Sequence, residues 1–218
     1  NCRYCNITCQ KPEKLDKDEP AHIAKAVKDL GLKYAVITSV TRDDLPDGGA
    51  EHFSQCIHEI RKISPDTKIE ILTPDFKNNK NSLDTIINAH PDVFNHNIET
   101  VKELFKTARP QGSYETSINV LKCIKENSNI KTKSGLMIGL GETFEQIKET
   151  LQDLYNINCD IVTIGQYIQP SKAHLQVAKY YTPDEYEKIK KLAASIGIKH
   201  SQIGPLVRSS YNAASLIS

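Results

Sequence analysis

Short runs rich in β-branched residues alternate with longer amphipathic stretches along the whole chain, and this alternation limits the fold more than any other feature. Strand–helix alternation builds βαβ units, and those build a parallel sheet covered by helices. Tyr34-Ala-Val-Ile-Thr-Ser, Ile69-Glu-Ile-Leu, Val93-Phe-Asn-His, Ser134-Gly-Leu-Met-Ile-Gly and Asp160-Ile-Val-Thr-Ile-Gly-Gln read as buried strands, with a sixth over residues 198–203. Helical spacing falls at 18–30, 48–63, 81–89, 99–106, 113–127 and 143–156. A last helix opens at Thr182, with Pro183 in its first turn and Glu185 completing a capping box. At 218 residues the chain is shorter than a complete eight-stranded barrel of about 250 residues. The expected architecture is therefore α/β, a partial (β/α)6-type barrel formed by one domain, 1–218.

A formal charge of +1 gives no electrostatic case for nucleic acid or an anionic membrane surface. No apolar run approaches the ~20 residues of a membrane span, and no targeting segment is visible, so a cytoplasmic monomer is expected. Six cysteines raise the question of disulfides, but Cys2, Cys5 and Cys9 crowd the first nine residues while Cys56, Cys123 and Cys159 lie far apart in periodic segments. The last three read as small buried hydrophobes. The N-terminal cluster reads as metal or redox chemistry. Zinc would want a second Cys/His pair at knuckle spacing, and a redox pair would want a preceding strand, so iron–sulfur ligation leads.

In parallel α/β folds, sites gather where strands end. Polar residues concentrate there in this chain: Thr38 to Gly49, Asn95-His-Asn-Ile-Glu, Lys133-Ser134 and Gln166-Tyr-Ile-Gln-Pro. Gly139-Leu-Gly141-Glu lacks the remainder of either phosphate-binding fingerprint and reads as a tight turn. His96 reads as a hydrogen-bonded strand-end residue. The other six histidines, His174 among them, show no convergent spacing and default to surface roles, and Arg208 reads as a structural ion-pair partner.

Asn1-Cys-Arg-Tyr-Cys-Asn resembles the downstream part of the Cys-x3-Cys-x2-Cys loop of radical SAM enzymes. Residues 36–50, 91–99, 132–142 and 165–171 are similar to signature stretches of lipoyl synthases, as is Gly-Pro-Leu-Val-Arg-Ser-Ser-Tyr at 204–211. The resemblance runs in register through the whole chain. It implies insertion of two sulfurs at C6 and C8 of an octanoyl chain held on a lipoyl carrier domain. S-adenosylmethionine (SAM) and two [4Fe–4S] clusters are implied as cofactors, one cluster binding SAM and one auxiliary cluster consumed as sulfur source. A flavodoxin or ferredoxin is implied as electron donor.

By the same resemblance, Cys2 and Cys5 hold the SAM-binding cluster, and Ser210, or its neighbour Ser209, supplies a hydroxyl ligand to the auxiliary one. Asn97, Glu99, Lys133, Ser134, Gln166 and Gln169 become candidates for SAM contacts, with Arg109 suited to the methionyl carboxylate. Gly48 and Gly49 would allow close backbone approach to ligand, and Asp43 and Asp44 fall on the substrate side. The family pattern puts the first loop cysteine three residues before Asn1, with three auxiliary-cluster cysteines and one strand also upstream, so this stretch alone is expected to be inactive. Cys9 as a compensating ligand would reverse the expected spacing. Two other readings are a biotin-synthase-like sulfur inserter, which would lack the closing Arg-Ser-Ser-Tyr, and an inactive barrel that binds an acyl-carrier domain.

Overall fold

The computed structural model describes residues 2–7, 10 and 12–216. Six strands form one parallel sheet in sequential order: β1 Tyr34–Thr38, β2 Lys68–Leu72, β3 Val93–Asn95, β4 Lys131–Ile138, β5 Ile161–Gln166 and β6 His200–Ile203. Each neighbouring pair is bridged by helix: α1 Glu19–Asp29 precedes β1, then follow α2 Ala50–Ile63, α3 Lys80–Ala89, α4 Phe105–Ala108, α5 Tyr114–Asn127, α6 Phe144–Asn156 and α7 Pro183–Ile196. Capping boxes open α6 at Thr143 and α7 at Thr182, and Gly197 closes α7 in a left-handed conformation. No helix among the described residues is long and apolar enough to cross a membrane.

Alternation along the strands sorts the side chains. Ala35, Ile69, Ile71, Phe94, Leu136, Ile138, Val162, Ile164 and Ile203 join the apolar core with the helices. Their neighbours face the other side of the sheet, and there lies a buried polar knot. Glu70 on β2 and Lys133 on β4 are both 0% exposed, with Lys133 Nζ 2.9 and 3.1 Å from the two carboxylate oxygens. Asn95 Nδ2 on β3 donates to Glu70 Oε1 at 2.7 Å, and the Tyr34 hydroxyl on β1 donates to Oε2 at 2.5 Å. One carboxylate thus joins four consecutive strands.

One expected helix is different. Residues 99–106 do not coil together, because Glu99 donates its N–H to Gly135 O and accepts from Met137 N, bridging to β4. Those backbone groups are unavailable to a helix, so coiling begins as a 3-10 turn at Lys102–Leu104 and becomes α only at Phe105.

Removing one partner of the buried pair leaves an uncompensated charge, so Glu70→Ala and Lys133→Ala should each cost about 3–5 kcal/mol. The double replacement Glu70→Leu/Lys133→Met should recover much of that loss. Urea unfolding followed by circular dichroism reads both outcomes.

Candidate active site

The loops at the C-terminal ends of β3 and β5, the N-terminal loop and the closing segment meet over one end of the sheet. Cys2 and Cys5 lie in one turn, closed by Cys5 N donating to Cys2 O at 3.2 Å, and both thiols are free and half-buried. Arg3 N donates to Ala108 O at 2.9 Å, fastening this turn to the end of α4. Between the two cysteines Tyr4 turns inward. Burial drives its phenol well above the ordinary tyrosine range, Glu99 adds to that, and its hydroxyl bonds to Cys2.

Glu99 sits beneath this turn. Its backbone is left-handed, φ +71°, an uncommon state for a residue with a side chain, held by the two β4 bonds already described. Burial pushes its carboxyl above the usual range, while the Arg109 guanidinium and a hydrogen bond from Asn97 oppose that rise. Asn97 Nδ2 also lies 3.3 Å from Ser209 Oγ, whereas its buried Oδ1 has no partner. Arg109 caps α4 over the Phe105 ring, with Nη2 3.6 Å from Asp75 Oδ2. Gly112 leaves the space it needs, since a Cβ there would come within 2.9 Å of Arg109 Nε. The turn that carries Cys2 and Cys5 and the side chains of Asn97, Glu99, Arg109 and Ser209 thus lie at the same end of the sheet.

Other candidates have different surroundings. Lys133 is committed to Glu70 in the barrel wall, and Ser134 Oγ accepts from Ile98 N at 3.1 Å, fixing the loop that carries Asn97 and Glu99. Gln166 is spent within the protein: Nε2 donates to Ile138, Tyr167 and Lys179 carbonyls, and Oε1 accepts from Tyr181 N and the Tyr186 hydroxyl. It secures the base of the loop after β5. Gln169 Nε2 donates to His174 O within that loop. Gly48 admits a protein group rather than a ligand, for its missing Cβ would lie 3.0 Å from the Phe76 ring; Gly49 caps α2 at φ +89°.

Asp44 chelates Arg42 through two bonds of 2.8 Å and Asp43 lies 3.5 Å from Lys77 Nζ, beside a cleft of about 490 Å³. A larger cleft, about 560 Å³, opens between α2 and α3 on the helical layer, away from the strand ends. Ser210 is exposed. Among the described residues Arg208 enters no ion pair, and it donates to Val207 O at 2.7 Å. Cys9 lies outside the described residues. The tight turn read at Gly139-Leu-Gly-Glu is present, with Glu142 accepting from Gly139 N and Leu140 N.

Sequence reading missed Tyr4, although it sits inside the cysteine motif, and Glu70, whose signal is a carboxylate within an apolar run. It also gave His174 no role. His96 is a buried, hydrogen-bonded strand-end residue: Nδ1 contacts Thr73 O at 2.9 Å and Nε2 contacts Ser117 Oγ at 3.1 Å. Burial, helped by Arg109, lowers its pKa to about 4.

A six-stranded parallel α/β sheet with a two-cysteine turn, a half-buried acid and a guanidinium at its strand ends has the architecture of a partial barrel with a polar site at the usual end. The sequence model of the radical SAM superfamily matches residues 1–154. The lipoyl synthase of Caldicellulosiruptor bescii is 54% identical over 98% of this chain and 74% of its own length, and that of Caldanaerobacter subterraneus is 49% identical over 98% and 75%. Streptococcus suis SuiB bound to S-adenosylmethionine shares the fold, with a TM-score of 0.71 at 13% identity over 92% of this chain and 46% of that one. The chain belongs to the lipoyl synthase family of radical SAM enzymes. SAM and [4Fe–4S] chemistry come with that membership.

The residues present fit both groups. Two adjacent free thiols suit iron, and the unpartnered Asn97 Oδ1 beside Glu99 suits the ammonium and hydroxyl donors of an amino-acid nucleoside. Among the described residues no three Cys, His, Asp or Glu side chains converge as a ready metal cage.

His96 sets a pH dependence. Its folded pKa of about 4 lies below the ordinary 6.5, so the unfolded chain binds the extra proton and stability falls with pH between those values. The slope contributed is about 1.4 kcal/mol per pH unit. Urea titrations from pH 7 to 4 should show it in the parent protein, and His96→Asn should lack that part.

Proposed function

We propose that the protein inserts two sulfur atoms at C6 and C8 of an octanoyl chain carried on a lysine of a lipoyl carrier domain. The nearness of the Cys2–Cys5 turn, through Tyr4, to the half-buried Glu99 and to the Arg109 charge that acts on it carries this reading, together with close identity to lipoyl synthases. The bound cluster and SAM would supply a primary carbon radical that takes hydrogen from an unactivated C–H bond.

The chain's own residues bind, orient and exclude water. Cys2 and Cys5 would give two thiolates to the SAM-binding cluster, beside a second, sacrificial cluster. Ser210, or Ser209 beside it, gives that second cluster a hydroxyl. Arg109 presents a planar guanidinium to the methionyl carboxylate. Glu99 and Asn97 Oδ1 accept from the ammonium and hydroxyl groups. Glu99 is aimed by a backbone conformation that β4 fixes, so little reorganisation accompanies binding. Below, the Glu70–Lys133 knot fills one stretch of the sheet with buried side chains that bond one another, Lys133, Asn95 and Tyr34 all ending on the Glu70 carboxylate. Lys133 and Gln166 act through the scaffold, and Asp43 and Asp44 stand on the substrate side beside the cleft at Phe76. A flavodoxin- or ferredoxin-type donor supplies electrons, and the protein works as a cytoplasmic monomer.

The test uses full-length protein reconstituted anaerobically with iron and sulfide, then given SAM, reductant and an octanoyl-lysine peptide. About eight irons per chain and a peptide mass gain of two sulfurs are expected. Cys2→Ala should hold about half that iron and leave the peptide unchanged. Iron-loaded parent protein that never adds sulfur would contradict the proposal.

A further inference from the structure

The loop after β5 runs from Tyr167 to Tyr181 without helix or strand, yet it reaches back to the opposite end of the chain. His174 Nε2 lies 3.0 Å from Cys5 O, and Leu175 N donates to Arg3 O at 3.0 Å. A carbonyl only accepts, so Nε2 carries the proton and Nδ1 is left as an acceptor. Ser171 Oγ stands 2.9 Å from that Nδ1 and donates to it. Ser171 also accepts from Ala173 N, and its carbonyl accepts from His174 N. Two longer arms hold the loop: Gln169 Nε2 donates to His174 O, and the Tyr167 hydroxyl donates to Leu175 O at 2.8 Å. At the loop's base, Gln166 bonds Lys179 O and Tyr181 N.

We infer that His174 is a positioning residue for the cluster loop: through its Nε2–H on the Cys5 carbonyl it holds the Cys2–Cys5 turn in ligating form before iron arrives. The inference rests on Cys2 and Cys5 being the cluster thiolates. Among the described residues, three hydrogen bonds fix that turn from outside, at Arg3 N, Arg3 O and Cys5 O, and two of them come from this loop. His174 supplies the side-chain one, and its half-buried position shields the bond from exchange with water. Gln169 acts through His174 in the same clasp.

The test avoids activity altogether. In iron-free full-length protein, the alkylation rates of Cys2 and Cys5 by iodoacetamide are followed by mass spectrometry. Buried Cys56 and Cys159 serve as internal controls for general unfolding. His174→Ala and His174→Asn lose the donor to Cys5 O and should raise both loop rates about fivefold, the factor one net hydrogen bond supplies. His174→Gln places an amide nitrogen where Nε2 stands and should stay within about twofold of the parent. Ser171→Ala, which frees the ring but leaves the donor, should fall between. Unchanged loop rates in His174→Ala would overturn the inference, and so would equal effects of Asn and Gln. Parallel rises at Cys56 and Cys159 would overturn it too, because they would mean a general loss of packing. A clasp that behaves as described in a protein that never adds sulfur would refute the proposed activity and leave this assignment standing.

Discussion

A single buried carboxylate, Glu70, sets the frame on which everything else is placed. It accepts from Tyr34, Asn95 and Lys133, so the side-chain bonds of four strands end on one group. Such a knot is expensive to bury and strongly directional, which gives it value for register more than for net stability. Strand register matters here because β3 and β4 carry the site. Two residues beyond Asn95 comes Asn97, and two beyond Lys133 comes Gly135, whose missing Cβ leaves the place that Asn97 Oδ1 occupies. A slip of one residue between these strands would turn Asn97 and Glu99 to the wrong face.

Above that frame the chemistry is assembled from segments distant in sequence. The N-terminal turn supplies thiols, the β3 loop supplies Asn97 and Glu99, and Arg109 comes from the end of α4. The closing segment reaches over β5, where Gly165 lets the Val207 carbonyl approach and Gly204 N bonds Ile164 O. Arg109 sits among Tyr4, Glu99, His96 and Asp75, and its charge bears on the ionisation of the first three. The positive centre is therefore shared between the buried His96 and the Glu99 carboxyl, which couples the candidate site to the packing beneath it.

Much of this was legible in the residues. The five strong strands and the sixth at His200 appear within three residues of expectation, β4 beginning earliest at Lys131, because buried parallel strands are continuous apolar runs flanked by breakers. Cys2 and Cys5 stood out as candidate ligands by their spacing, Asn97 and Glu99 by their place after a strand, and Arg109 through the family resemblance. What escaped depended on long-range pairing. Glu70 and Lys133 are 63 residues apart and His174 and Cys5 169, so neither partnership leaves a local pattern. The misread helix at 99–106 has the same origin: its helical spacing was real, but a backbone bridge to β4 claimed its first turn. Gln166 and Lys133 were drawn into the ligand set by being polar at strand positions, where packing had already claimed them.

The central claim is that the Cys2–Cys5 turn and the Glu99–Arg109 pair together make a radical-generating SAM site. It is tested most directly by cleavage of SAM in the absence of any octanoyl substrate, using reduced, anaerobically reconstituted full-length protein. The account predicts equal yields of 5′-deoxyadenosine and methionine from the parent protein. It predicts none from Cys2→Ala or Cys5→Ala, and sharply weakened SAM binding with retained iron from Glu99→Gln. Cleavage that persists without either thiol, or an iron-loaded parent protein that leaves SAM intact under reduction, would contradict it.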